Sequence, residues 1–138
     1  MKKRKCVDMP EHLWPPINAE EKEVVAFRAT QKSGVVTSED FLSSYDKDKK
    51  NGRIRSQYLG QDGYYALSVF EDENDARNLI RKFPQFFKDI STGITRFSDG
   101  CIRRDPSMTG RSHDNWWLYE GAEPEKYFEI LKEGLDEK

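Results

Sequence analysis

Cysteine is scarce in this sequence of 138 residues, which contains only Cys6 and Cys101. Neither thiol belongs to a Cys-x-x-Cys pair, which excludes the common zinc-ribbon spacing and a disulfide scaffold. Histidine is equally rare, with two residues and neither a His-x-x-x-His nor a His-Glu-x-x-His spacing, so the usual helical zinc motifs are excluded too. Two isolated thiols are typical of a reducing compartment, and we therefore expect a cytoplasmic protein without a metal site.

Long apolar runs are missing as well. Residues 63–70 form one of the longest uncharged stretches, far shorter than the roughly 20 apolar residues that a membrane-spanning helix needs. The basic residues 2–5 open the chain, but a proline- and charge-containing segment follows them instead of the apolar region of a signal peptide. We therefore expect neither a membrane contact nor secretion.

A surplus of charge of one sign is also absent, since 23 Lys and Arg face 25 Asp and Glu. This balance removes any bulk attraction to nucleic acid or anionic lipid, so a binding site for an anion must be local. What the sequence does contain is aromatic residues, with eight Phe, six Tyr and three Trp. A small core rich in rings is enough to make a folded globule rather than a disordered chain.

The order of apolar patterns predicts an N-terminal arm over residues 1–23 and one α+β domain over residues 24–138. Leu13 and Trp14 are expected to anchor the arm, while the first eight residues are expected to be dispensable. Consecutive strands late in the chain favour a single compact domain with a mainly antiparallel sheet and about three packed helices. The predicted strands are 24–29, 64–70, a hairpin over 86–102 and 113–119, and the helices follow Thr37, Asp72 and Pro124, with a charged loop at 46–56.

The helix between Asp72 and Pro84 has the clearest pattern. Its apolar residues recur at the i, i+3, i+4 and i+7 spacing that lines one face of a helix. We expect this face to pack against the strand that contains Leu67 and Val69. The face consists of Ala76, Leu79, Ile80 and Phe83.

Two polar residues inside apolar strands are the first candidates for a ligand site. Arg28 lies in a β-branched and aromatic run, where a guanidinium needs an anionic partner, an internal acid or access to solvent. Ser68 lies in the strand Ala-Leu-Ser-Val-Phe without the Gly-x-Ser-x-Gly elbow of a known nucleophile. It is expected either to bond within the core or to orient a ligand hydroxyl.

A second group of candidates surrounds the loop at residues 106–112. Cationic side chains close to an aromatic wall bind phosphorylated ligands by charge and stacking. The alternative is that Arg103 and Arg104 alternate along an edge strand while Trp116 lies in the core. Together with the strand residues and two tyrosines that could stack on a base, the candidate ligand-binding residues are Arg28, Tyr64, Tyr65, Ser68, Arg111, His113 and Trp117.

Three short motifs together resemble a group of small bacterial proteins whose function is unassigned. After an Arg-x-x element these proteins share T-x-x-D-F-x-S, here residues 37–43, and L-S-V, here residues 67–69. They also share a terminal H-x-x-x-W, here residues 113–117. The resemblance covers most of residues 24–131.

The same order distantly resembles the ADP-ribosyltransferase superfamily. In that superfamily an early strand carries an Arg or His that binds the dinucleotide, a middle strand carries Ser or Tyr, and a late strand carries the catalytic Glu. The resemblance implies the first role for Arg28, the second for Ser68, and NAD as the cofactor. This chain departs from the pattern at the late strand, where His113 and Asn115 occur instead of a glutamate pair.

Two functions remain open on the sequence alone. The first, which we favour at this point because each catalytic pattern is incomplete, is a protein-binding module, for example in a defence or toxin–antitoxin setting. The alternative is an enzyme, or a degenerate enzyme, that binds NAD or another nucleotide in a cleft shared by Arg28, Ser68 and His113. Whether the protein catalyses a reaction stays undecided between them.

Overall fold

The computed structural model describes residues 2–131, in which six strands form one antiparallel sheet and two α-helices pack beside it. This confirms the α+β class with a mainly antiparallel sheet. The strand order is β4-β5-β2-β1-β3-β6. The elements are β1 (Val25–Thr30), α1 (Ser44–Lys50), β2 (Leu67–Phe70), α2 (Glu73–Lys82), β3 (Asp89–Ile94), β4 (Gly100–Arg104), β5 (His113–Leu118) and β6 (Glu129–Ile130).

The prediction of about three helices is wrong for the described part of the chain, which contains two. Pro124 begins only a single 3-10 turn, Pro124–Lys126. Phe128 is then buried, and the amide of Leu131 donates to the carbonyl of Ile90, so the chain pairs with β3 instead of continuing as a helix. Any part of the predicted helix beyond residue 131 lies outside the described residues.

The alternation of side chains along the strands creates two covered faces. The first face carries Leu67 on β2 and Trp116 on β5, and Phe41 and Phe128 pack over it. On the second face, Trp117 packs among buried tyrosines. Because side chains alternate along β5, Trp116 and Trp117 lie on opposite faces of the sheet.

Helix α2 contacts the predicted strand β2, but it does so on the second face, through Phe70 and not through Leu67 or Val69. Asp72 caps it by accepting from the amide of Asn74 at 2.8 Å, and Ala76 is completely buried. Phe83, expected to be buried, is 40% exposed. Side chains alternate between the two faces of a strand, so Leu67 and Val69 face away from α2. The helix instead contacts Phe27, Phe70 and Ile90, which lie on the second face.

The predicted hairpin over residues 86–102 is also wrong. Strand β3 pairs with β1 and β6, whereas β4 pairs with β5 on the other side of the sheet. Thr95 explains why the chain does not fold back after β3. Its hydroxyl donates to the carbonyl of Lys22 at 2.8 Å and accepts from the amide of Val24 at 2.9 Å, which ties this end of β3 to the entrance of β1.

The segment after Thr37 differs from the predicted helix and loop. The predicted capping box is present, but it begins only the 3-10 turn Ser38–Phe41, because Leu42 is extended. Ser43 then caps a new helix by accepting from the amide of Asp46 at 3.0 Å. Helix α1 therefore occupies the first part of the stretch that its charge pattern had suggested to be a loop.

The N-terminal arm is packed against the sheet from its first described residues onward. The amide of Lys5 donates to the carbonyl of Leu118 at 2.8 Å, and Cys6 and Met9 are buried. Further along, Glu20 pairs with Ile102 on β4. The expected dispensability of the first eight residues does not agree with these contacts. No helix in residues 2–131 is long and apolar enough to cross a membrane.

Candidate ligand site at the opening between β1 and β2

Arg28 lies where the sheet opens between β1 and β2. Strands β1 and β3 pair along all six residues of β1, but β1 and β2 pair only at Phe27 and Phe70. The guanidinium of Arg28 enters the space beyond that pair. Its Nε donates to the carbonyl of Asp40 and its Nη1 to the carbonyl of Ser68, both at 2.7 Å. The side chain of Arg28 thus connects β1 and β2 beyond the point where their main chains pair.

The charge of Arg28 is only partly compensated. In residues 2–131 no carboxylate forms an ion pair with its guanidinium, and Nη2 has no hydrogen-bond acceptor although it is not completely buried. Burial lowers the pKa of Arg28 to about 10, and the more distant charge of Asp40 opposes that change. The side chain therefore stays a cation at neutral pH, and its Nη2 has no acceptor within the described residues.

Ser68 and His113 form the second half of the site. The two residues lie on adjacent strands, β2 and β5, and both are half-buried. His113 Nε2 lies 2.7 Å from Ser68 Oγ, while Nδ1 lies 2.6 Å from the carbonyl oxygen of Asp105. Since Arg28 contacts the carbonyl of the same serine, Ser68 joins all three candidates into one contiguous group.

Arg28 and His113 approach Ser68 from different sides of the sheet. Phe27, Phe70 and His113 share one face by register, so Arg28, next to Phe27, starts from the other face. The two side chains are nevertheless close enough to interact electrostatically. Burial lowers the pKa of His113 below its ordinary value of 6.5, and the charge of Arg28 adds to this, against the hydrogen bond to Asp105.

Lys47 adds a second cation, which no sequence pattern indicated. It is half-buried on α1, and burial, followed by the charge of Arg28, lowers its pKa. Its Nζ lies 5.3 Å from the ring centre of Phe87. Lys47 also lines an open cleft of about 320 Å³ together with Gln31, Asp48, Asn51, Arg53 and Phe86, and the residues that line this cleft do not include Arg28, Ser68 or His113. We call Arg28, Lys47, Ser68 and His113 the Arg28 site.

Three aromatic candidates lie in the core instead of beside this site. Tyr64 is buried, and its hydroxyl donates to Asp48 at 2.6 Å and accepts from the amide of Arg55. Tyr65 is buried and donates to the carbonyl of Leu59 at 2.6 Å. Trp117 is 1% exposed and donates through Nε1 to the carbonyl of Asp62 at 2.9 Å. Each ring therefore packs within the protein, and its polar atom is already bonded.

Arg111 is exposed and lies apart from the Arg28 site. It lines an open surface cleft with Pro106, Ser107 and Met108, and it makes no hydrogen bond or ion pair within the described chain. Its position close to His113 in sequence does not bring its side chain into the contacts around Ser68.

Arg103 and Arg104 serve internal ion pairs. Arg103 makes a bidentate contact with Asp62, both distances being 2.9 Å, and its Nε donates to Asp105 at 2.8 Å. Arg104 donates to the buried Asp114 at 2.8 Å. Both guanidinium groups are thus engaged, as in the structural alternative given above, and Trp116 lies in the core.

Comparisons with known proteins add nothing to this geometry: the chain matches no protein-family model, no curated protein and no solved structure. Within the described residues there is also no group of three or more His, Cys, Asp or Glu side chains able to hold a metal ion. The function must therefore be argued from the Arg28 site itself.

Proposed function

We propose that this protein binds a nucleotide-type anion at the Arg28 site, with NAD or ADP-ribose as the first ligands to test. The observation that carries the proposal is the partly compensated Arg28, whose Nη2 has no acceptor within the described residues while its Nη1 donates to the carbonyl of Ser68. A guanidinium with a free edge is suited to a phosphate oxygen, and its partial desolvation strengthens that contact.

The neighbouring residues support a phosphate that carries a sugar. Lys47 supplies a second positive charge that is repelled by Arg28. A bound anion would reduce this repulsion. The hydroxyl of Ser68, whose proton is directed to His113, keeps oxygen lone pairs that can accept a hydrogen bond from a ribose hydroxyl. The strands that carry Arg28, Ser68 and His113 are consecutive in the sheet, which is compatible with the resemblance to the ADP-ribosyltransferases.

The proposal concerns binding and does not extend to transfer of ADP-ribose. The resemblance places a catalytic glutamate on the late strand, but β5 carries His113, Asp114 and Asn115 at its start. Asp114 is fully buried and paired with Arg104, and Asn115 donates to Asp105 at 2.7 Å. The site therefore contains the cation expected to bind a dinucleotide, but β5 supplies no available carboxylate for catalysis.

Calorimetric titration of NAD, ADP-ribose and inorganic phosphate into the whole chain tests the proposal. We expect binding by the parent that weakens with salt, because screening reduces the attraction between opposite charges. Arg28→Lys and Lys47→Ala should each lower the affinity, whereas Arg111→Ala, which removes an exposed cation outside the site, should not. Binding at 100 times the dissociation constant should raise the free energy of unfolding by about 2.7 kcal/mol.

Two results would refute the nucleotide proposal. One is the absence of measurable binding by a folded parent protein. The other is equal affinity in the parent and in both site variants, because the anion would then be bound elsewhere on the surface.

An interaction module is the second candidate, and exposed aromatic residues favour it. Phe83 and Phe86 are 40% and 56% exposed, and their ring centres lie 6.4 Å apart just beyond α2. Adjacent exposed rings are typical anchors of protein interfaces. Trp116 and Trp117, by contrast, are buried and cannot act as such anchors. The double variant Phe83→Ser, Phe86→Ser should keep the fold and lose binding to any protein partner that uses this surface.

A further inference from the structure

The tautomer of His113 follows from its two contacts. A backbone carbonyl can only accept a hydrogen bond, so the nitrogen 2.6 Å from the Asp105 carbonyl, Nδ1, must carry the proton. In the neutral ring Nε2 then has a free lone pair. Ser68 Oγ, 2.7 Å away, therefore donates its proton to Nε2. This is the direction of hydrogen bonding found between a serine nucleophile and its general base.

The protein also fixes the ring of His113 in place. Asp105, which holds Nδ1 through its carbonyl, is itself held by Arg103 and Asn115 through its carboxylate. The ring of Phe70 lies edge-on to the imidazole, with the centres 5.5 Å apart. A base oriented by a third group is the remaining structural requirement of a nucleophile–base pair.

A positive charge lies beside the serine. Arg28 Nη1 contacts the main-chain carbonyl of Ser68 at 2.7 Å, from the face of the sheet opposite to His113. The cation therefore acts on the serine hydroxyl and on His113 through space, and its charge adds to burial in lowering the pKa of His113. Ser68 and His113 are both half-buried, so part of each side chain is accessible from solvent.

We propose that Ser68 is a nucleophile activated by His113 and that the site transfers acyl groups from an activated ester to water. Ser68 Oγ attacks the ester carbonyl carbon, and its proton passes to His113 Nε2 as the new C–O bond forms. The bond to the leaving alcohol then breaks, and the alcohol leaves with the proton from Nε2. Water, deprotonated by the same nitrogen, cleaves the acyl-serine and restores the serine. This activity does not depend on a nucleotide as the ligand.

Labelling of the intact protein tests this pair. The probes are a fluorophosphonate, which modifies activated serines, and p-nitrophenyl acetate, whose hydrolysis is followed by absorbance. We expect mass spectrometry of the digested protein to find the label on Ser68. Ser68→Ala should abolish labelling, and His113→Gln should slow it roughly 10²–10⁴-fold, the usual contribution of a general base. Ser107→Ala, which alters an exposed loop serine, should change nothing.

The pH profile separates an activated serine from an ordinary hydroxyl. The groups around His113 are the Asp105 backbone and carboxylate and the Arg28 cation, with burial lowering the pKa of the ring below 6.5. The base is therefore already deprotonated at pH 7, and the labelling rate should be nearly constant from pH 7 to 9. An unactivated hydroxyl would instead react roughly tenfold faster for each pH unit.

Three results would overturn the nucleophile assignment: no labelling of a folded parent, labelling that avoids Ser68, or equal labelling of Ser68 in the parent and in a folded His113→Gln variant. Calorimetry with NAD keeps this outcome separate from the nucleotide proposal. If NAD binds but Ser68 stays unlabelled, only the nucleophile is refuted; if Ser68 is labelled but NAD does not bind, only the nucleotide is.

Discussion

At the scale of single residues, the most unusual group is the buried Asp114 next to the half-buried Glu71. Asp114 on β5 is fully buried, and its Oδ1 accepts from Arg104 Nε at 2.8 Å, while its Oδ2 lacks a donor. Arg104 also contacts Glu71 at 2.9 Å. Burial raises the pKa of Asp114 to about 7, and the adjacent Glu71 contributes to the rise, whereas the pKa of Glu71 is lowered. Of the two acids, Asp114 therefore binds a proton more tightly.

Asp114→Asn should remove a loss of folding stability that occurs as pH rises. Because the folded pKa of Asp114, about 7, exceeds its ordinary value of 3.8, the native protein binds the proton more tightly than the unfolded chain. Stability from this group therefore falls as pH rises between those two values. Urea denaturation at pH 5 and pH 8 should show a smaller loss for the variant than for the parent. Equal losses would mean that Asp114 does not hold the proton.

His113 should have the opposite effect on stability. Its folded pKa is lower than 6.5, so on acidification the unfolded chain binds a proton before the native protein does. Stability is then lost as pH falls below about 6.5, by at most about 1.4 kcal/mol per pH unit. His113→Gln should reduce this slope in urea denaturation between pH 7 and pH 5. His12→Gln, at an exposed position, is the matched control.

At the scale of elements, α2 shows how a correct helix can meet an unexpected surface. The spacing of its apolar residues identified the buried side of the helix. The alternation of side chains along β2 decided which strand residues this side contacts. Ala76 is completely buried against the second face, while Phe83 at the end of the same stripe reaches solvent because the chain leaves the sheet there.

Ala76→Asp and Phe83→Asp should therefore lower the free energy of unfolding by very different amounts. The first places a carboxylate in a completely buried position, where desolvation without a partner costs several kcal/mol. The second places it at a 40% exposed position and should cost roughly 1 kcal/mol or less. Thermal and urea denaturation measure both variants. Similar losses for the two would show that α2 packs through a different side.

At the scale of the whole molecule, the N-terminal arm completes the core. Cys6 and Met9 belong to the cluster that surrounds Trp117, and the main chain of Lys5 bonds to the end of β5. The arm thus covers part of the sheet that the rest of the described chain leaves open. Its contribution to stability comes from buried apolar side chains and not from the basic residues at its start.

Met9→Ala should lower the free energy of unfolding by about 2–5 kcal/mol, because it leaves a cavity at a position that is 1% exposed. Val7→Ala, two residues earlier and 67% exposed, should change it by less than about 0.5 kcal/mol. Urea denaturation of both variants measures the difference. A neutral Met9→Ala would show that the arm is only loosely associated.

The sequence by itself determined features that depend on neighbours in the chain. The alternation of β5 assigned Trp116 and Trp117 to opposite faces, and the spacing after Asp72 identified α2 and its cap. Arg28 and Ser68 were recognisable because a polar residue in an apolar strand needs a specific partner. Periodicity and side-chain chemistry act over a few residues, so one sequence is enough to read them.

Only the tertiary structure decided which distant segments meet. Strand β3 pairs with β1 and not with β4, although β4 follows it directly, because strand partners are chosen by burial and hydrogen bonding across the whole sheet. Lys47 joins Arg28 from a run of charges that has no distinguishing pattern, and Glu71 meets Asp114 for the same reason. The opening between β1 and β2 depends on where two strands stop pairing, which no local pattern records.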